Sequence, residues 1–142
     1  MAVRTADAEW KGSLAKGTGT LTTESGALSS PYSFQSRFEE GDGTNPEELL
    51  AAAHAGCYSM ALSHALAEAG HTPESVHTTA HVTLESQGDG FAITAIQLVC
   101  RARVPGLDGG TFLEHAEDAK VGCPVSKALA SVEISLDAAL QS

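Results

Sequence analysis

The chain has 142 residues, enough for one domain with its own core and no reason to look for a second. Eight Lys and Arg face 18 Asp and Glu, a formal charge of −10, and the basic residues are scattered singly, which speaks against nucleic acid and anionic membrane surfaces as partners. The opening MAVRTADAEW has no apolar signal-peptide core, so the expectation is a cytoplasmic protein whose three cysteines, Cys57, Cys100 and Cys123, start out reduced.

Residues 3–38 are rich in Gly, Ser and Thr with short alternating segments, and predict an antiparallel meander with turns at Gly26 and at Ser29-Ser30-Pro31. "GDGTNPEELL" then announces a helix, with Asn45 at the N-cap, Pro46 at the first helical position and Glu48 completing a capping box. That helix is predicted to reach Ala69 and stop at Gly70, with Pro73 beyond. It shows no polar face, which predicts a long central helix buried all round. The uncharged run from Leu49 to Ala67 approaches the length of a membrane span, but it is filled with Ala, Ser, Gly and two His and no Lys or Arg flanks it, so a membrane helix is rejected.

Two strands follow, 75–86 and 91–104, joined by a turn at Gln87-Gly88-Asp89-Gly90. Val76, Ala80, Val82 and Leu84 share one face of the first; Ala92, Ile96, Leu98, Cys100, Ala102 and Val104 share one face of the second. "TFLEHAEDAKVG" predicts a second helix with Thr111 and Glu114 as its capping box and Gly122 as its stop. A short third helix has Cys123 as N-cap and Pro124 in its first turn, and "SVEISLDAAL" predicts a last strand. The order of elements gives a single α+β domain, 1–142, with an antiparallel sheet.

Cys57 lies mid-helix among small residues, where it is either a packing residue or a reactive thiol. Cys123, at a helix N-cap, meets the positive end of the dipole and unpaired N–H groups, which favour thiolate. Cys100 belongs to an apolar strand face and reads as core. His54 and Cys57 have a spacing that, with Cys123, allows a metal-thiolate reading, the weaker alternative. A non-enzymatic protein holding a small ligand in an apolar cleft is the other. Glu47 is left free by the capping role of Glu48, and Arg37 stands before an acidic, glycine-rich loop; an Arg near a thiol stabilises thiolate and donates hydrogen bonds to a peroxide oxygen. No nucleotide fingerprint is present, so no bound cofactor is expected, and with the metal-thiolate reading the weaker one no metal is expected either.

The stretches "GTGTLTTESG", "RFEEGDGTNPEELLAAAHAGCYSMALS" and "AKVGCPVSKAL" resemble the bacterial OsmC and organic hydroperoxide resistance (Ohr) family over essentially the whole chain. The resemblance implies an OsmC-like fold in an intertwined homodimer, and a thiol peroxidase with Cys57 as the peroxidatic and Cys123 as the resolving cysteine. It carries over Glu47 of "NPEE" and, as the best candidate for the family's active-site arginine, Arg37. It implies organic hydroperoxides as the preferred substrate, hydrogen peroxide as a second one, and a dithiol, lipoyl-type or small, as reductant. Glu47 and Cys57 on one straight helix lie about 15 Å apart, so if both line one pocket a bend or a second chain must bring them together; the expectation is the second chain, with Arg37 and Glu47 of one subunit facing Cys57 and Cys123 of the other.

Overall fold

The computed structural model describes residues 1–142, and the chain divides into two compact units, Met1–Leu49 and Leu50–Ser142. The first unit holds an antiparallel meander of β1 (Ala6–Lys11), β2 (Thr18–Thr23) and β3 (Ser29–Tyr32), in that spatial order. Gly26 turns the chain between β2 and β3, as its place in the sequence predicts. Two features differ from expectation. Ser29-Ser30-Pro31 lies within β3 and not at a turn; Pro31, which has no N–H to give, is tolerated because β3 is an edge strand. Phe34–Phe38 forms a short helix, α1, instead of strand, because Ser33 and Ser36 cap each other reciprocally: the Ser36 N–H donates to Ser33 Oγ (3.1 Å) and the Ser33 N–H to Ser36 Oγ (2.8 Å).

The loop after α1 returns to β3, where the Thr44 N–H donates to the Pro31 carbonyl (3.1 Å). Gly43 makes this approach possible: its φ is +104°, and a Cβ there would collide with that carbonyl oxygen. The buried residues of this unit are Gly19, Ser36, Thr44 and Glu47, so none of its large apolar side chains is fully covered.

Helix α2 (Pro46–Glu68) starts where the sequence places it. The Glu48 N–H donates to Asn45 Oδ1 (2.8 Å), while the Glu48 carboxylate accepts from the Thr44 hydroxyl (2.8 Å), so only half of the expected capping box forms. At the other end Gly70 adopts φ +90°, and the His71 N–H to Leu66 carbonyl (2.8 Å) and Gly70 N–H to Ala67 carbonyl (3.0 Å) bonds close a Schellman motif. Within the single chain, burial along α2 is a stripe of period four, His54, Tyr58, Leu62 and Leu66. The opposite stripe, Ala52, Gly56, Met60 and His64, is exposed, Met60 by 76%.

In the second unit β4 (Ser75–Gln87) and β5 (Gly90–Arg103) form the expected hairpin. The sheet is not wholly antiparallel: β6 (Glu133–Leu140) joins β5 in parallel, after a crossover through α3 (Gly109–Gly122) and α4 (Pro124–Ala128). A parallel neighbour requires such a long connection, and here two helices provide it. The β4–β5 register shifts at Thr83/Leu84, where Ala95 and Ile93 are the successive partners and Thr94 is extra. This bulge reverses the alternation before Thr94, so Ile93 and not Ala92 shares the face of Leu84. Helix α3 is capped by Asp108, whose carboxylate accepts from the Thr111 N–H (2.9 Å), and not by Thr111 itself.

The core lies here: the α2 stripe meets Ile96, Leu98, Cys100, Ala102 and Val104 of β5 and its extension, and Phe112, Ala116 and Ala119 of α3. Each fully buried Leu or Ile contributes about 1.5–3 kcal/mol relative to exposure. The Tyr58 hydroxyl donates to the Ala116 carbonyl (3.0 Å), tying α2 to α3 and so fixing the helix that carries Cys57 against the segment that leads to Cys123. No helix is long and apolar enough to cross a membrane.

Candidate active site

Two groupings of the predicted residues form, one in each unit. In the first unit Arg37, in the last turn of α1, meets Glu47, at the second position of α2. Arg37 Nε donates to Glu47 Oε1 (3.0 Å) and Nη2 to Oε2 (2.9 Å), a bidentate pair whose carboxylate is buried and whose arginine side chain is 34% exposed. The fork geometry holds the guanidinium in one orientation. Its Cζ also lies over the Phe38 ring, 5.3 Å from the ring centre. Beside it opens a cavity of about 410 Å³ walled by Trp10, Leu14, Tyr32, Phe34, Phe38 and Arg37. Its wall is aromatic, with Trp10 against Tyr32 (5.2 Å between ring centres) and Phe34 against Phe38 (4.9 Å), and it suits an apolar body with one polar end.

In the second unit Cys57 of α2 and Cys123, the N-cap of α4, are both unbridged, and the Cys123 thiol is near enough to act on that of Cys57. Cys57 is half-buried and Cys123 is 1% exposed. Burial is the main cause that pushes the Cys57 thiol up from its ordinary value. The Val125 N–H, from the first turn of α4, pulls it back by hydrogen-bonding the sulfur, while the Cys123 thiol pushes it up again. Nothing within this pair lowers the Cys57 thiol on balance, so its thiolate needs a cation from elsewhere.

Cys123 is held by its own helix: the Ser126 N–H donates to its Sγ (3.4 Å) and the Ser126 Oγ lies 3.1 Å from it. On the far side of Ser126 stands His54, whose Nε2 is 2.7 Å from the Ser126 Oγ. His54 and Ser126 are both buried. Sequence reasoning missed this pairing, taking His54 as a core or metal-ligand candidate and passing over Ser126; the signal available was the matched spacing His54-x-x-Cys57 and Cys123-x-x-Ser126 on two helices. No group of three His, Cys, Asp or Glu side chains is arranged to hold a metal ion. Cys100 is buried on β5, apart from the chemistry, as its strand face predicts. Its thiol too is pushed up, chiefly by burial.

Comparison with known proteins places these residues in context. Residues 39–137 match the family model described as OsmC-like protein. The chain is 54% identical to peroxiredoxin OsmC of Escherichia coli over 136 residues, 95% of this chain and 94% of that one. It is 30% identical to the organic hydroperoxide resistance protein OhrB of Bacillus subtilis over 84% of this chain and 88% of the other. Among solved structures, an organic hydroperoxide resistance protein OsmC from Legionella pneumophila superposes with a TM-score of 0.73 at 26% identity, over 98% of this chain and 99% of that one.

Proposed function

The chain belongs to the OsmC-like protein family and is a cysteine-based peroxidase, and we propose that it reduces hydroperoxides, organic ones by preference, with Cys57 as the attacking thiol and Cys123 as the resolving one. The observation that carries this reading is the contact of two reduced cysteines at the start of α4. The Cys57 thiolate attacks the O–O bond; the departing alkoxide takes up a proton and leaves as alcohol, and Cys57 becomes a sulfenic acid. Cys123 displaces its hydroxyl, water leaves and a disulfide closes. A dithiol of lipoyl or similar type reopens the bridge, donating two electrons and two protons and becoming a disulfide itself. The aromatic cavity beside Arg37 supports the preference for organic peroxides, since its walls suit an apolar substituent.

The cation that Cys57 needs is Arg37, oriented by Glu47 and supplied by a second copy of the chain. Glu47 and Cys57 stand ten residues apart on α2, about 15 Å along its axis. Two further observations support the second copy. The stripe through Gly56 and Met60 is exposed, and the first unit has no buried apolar side chain, a state in which a three-stranded sheet is not independently stable. In this reading 1–142 is one OsmC-like domain in an intertwined homodimer, and the 54% identity to peroxiredoxin OsmC over 95% of the chain supports the single domain.

The test is a free-thiol count after one equivalent of cumene hydroperoxide, with the bridge mapped by peptide mass and turnover followed with a dithiol present. Loss of two thiols as a Cys57–Cys123 disulfide is expected. Cys57→Ser abolishes all turnover, whereas Cys123→Ser consumes about one equivalent and then stalls or over-oxidises. Three unreacted thiols in the wild type overturn the proposal.

A further inference from the structure

Resolution of the sulfenic acid requires Cys123 to give up a proton, and Cys123 is 1% exposed, so a protein group is the nearest acceptor. Its one hydroxyl neighbour is Ser126 Oγ at 3.1 Å, and beyond that hydroxyl, at 2.7 Å, is the imidazole of His54. His54 is fully buried, and its other ring nitrogen, Nδ1, meets no hydrogen-bond partner. A polar side chain ordinarily costs free energy when buried half-satisfied. The sequence retains one here, on the helical turn before Cys57, with its single hydrogen bond aimed at the residue that holds Cys123.

We propose that His54, acting through the Ser126 hydroxyl, accepts the proton of Cys123 while Cys123 attacks the Cys57 sulfenic acid. This rests on the assignment of Cys57 and Cys123 made above. With the ring proton on Nδ1, Ser126 donates to Nε2 and its oxygen accepts from the Cys123 S–H. As the S–S bond forms, the Cys123 proton passes to Ser126 Oγ and the Ser126 proton to His54 Nε2. The S–O bond of Cys57 breaks, and hydroxide leaves and is protonated to water as His54 returns to neutrality. One S–S bond replaces one S–O and one S–H bond; the Cys123 sulfur is oxidised and the Cys57 sulfur reduced, with no further reactant. Burial holds the His54 imidazole below its ordinary value, so at neutral pH it is uncharged and able to accept. Ser126 touches the reacting sulfur; His54 is a positioning and proton-accepting residue that works through it.

The experiment is rapid mixing of the reduced protein with one equivalent of cumene hydroperoxide, following sulfenic acid by dimedone capture and disulfide by mass. His54→Gln keeps a hydrogen-bonding atom near Nε2 but no basicity, and Ser126→Thr keeps the hydroxyl that Ser126→Ala removes. The expected result is that disulfide closure slows by roughly 10²-fold in His54→Gln and Ser126→Ala relative to Cys57 oxidation, with dimedone adduct accumulating, and that Ser126→Thr recovers most of the loss. Closure at the wild-type rate in His54→Gln overturns the proposal, whatever Ser126→Ala does, because a hydrogen bond alone is then sufficient. A wild-type protein that forms no Cys57–Cys123 bridge overturns the parent assignment as well, which separates the two failures.

Discussion

Replacing Tyr58 with Phe removes one oxygen from a side chain that is fully buried and whose hydroxyl donates to the Ala116 carbonyl at 3.0 Å. The ring stays, so packing of α2 on the sheet is kept. Ala116 lies inside α3, where its carbonyl also accepts from the helix ladder; it loses one partner and is not orphaned. The cost is therefore close to the net worth of one neutral hydrogen bond, about 1 kcal/mol, or about 3 °C in Tm for a chain of this length. Tyr58→Ala, which also opens a cavity, costs about 3–5 kcal/mol by the usual scale for aromatic truncation. Burial, helped by the charges that Cys100, Glu117 and Cys123 can carry, pushes the Tyr58 phenol well above its ordinary value. The folded chain therefore holds the neutral phenol, whereas the unfolded chain ionises near pH 10. The contribution of Tyr58 is complete below pH ~10 and falls as pH rises beyond it. Phe has no such limb, so the stability gap between wild type and variant narrows above pH ~10, while groups common to both cancel in the difference. Urea unfolding at fixed protein concentration, at pH 7 and at alkaline pH, measures both effects. A variant as stable as wild type at pH 7, or a gap unchanged through the alkaline range, refutes the reasoning.

Arg37→Ala breaks both hydrogen bonds to Glu47 and slows sulfenic acid formation at Cys57 by roughly 10²-fold, the usual loss for one donor to a developing anion; stopped-flow oxidation checks this, and an unimpaired rate transfers the role to another cation such as Lys16. Cys100→Ala leaves turnover intact, because Cys100 is buried in β5 and takes no part in the bridge; a third thiol lost on oxidation of the wild type would contradict this. Gly43→Ala forces an L side chain onto φ +104° and against the Pro31 carbonyl, and destabilises the protein by about 2 kcal/mol, read as a lower Tm; an unchanged Tm would show that the loop relaxes at no cost.

The features legible in the sequence are those whose partners lie within a few residues. Asn45 caps α2 through the Glu48 N–H, and Gly70 stops it through bonds that span five residues at most. Cys123 caps α4 through the Ser126 N–H, and the hairpin turn at Gln87–Gly90 closes between adjacent strands. Where a closer competitor exists, the same local logic misplaces an element: Asp108 precedes Thr111 as the cap of α3, and Ser33 with Ser36 nucleates α1 in a segment that otherwise reads as strand. The candidate residues Cys57, Cys123, Arg37 and Glu47 were nameable from residue type, setting and family resemblance.

Their arrangement was decided by contacts that no local pattern contains. The parallel seating of β6 on β5 follows from a helical crossover that only the folded sheet reveals, and the bulge at Thr94 puts Ile93 in place of Ala92 on the face of Leu84, while Ile96 to Val104 keep the face their alternation predicts. His54 and Ser126 are 72 residues apart in sequence and 2.7 Å apart in space. Sequence by itself determined where the long helix α2 begins and ends and which side chains carry reactive groups, since these depend on short-range hydrogen bonding and intrinsic chemistry. Tertiary structure alone decided which of those groups meet, because only the packing of α2 against α4 brings His54 to the Ser126 hydroxyl beside Cys123.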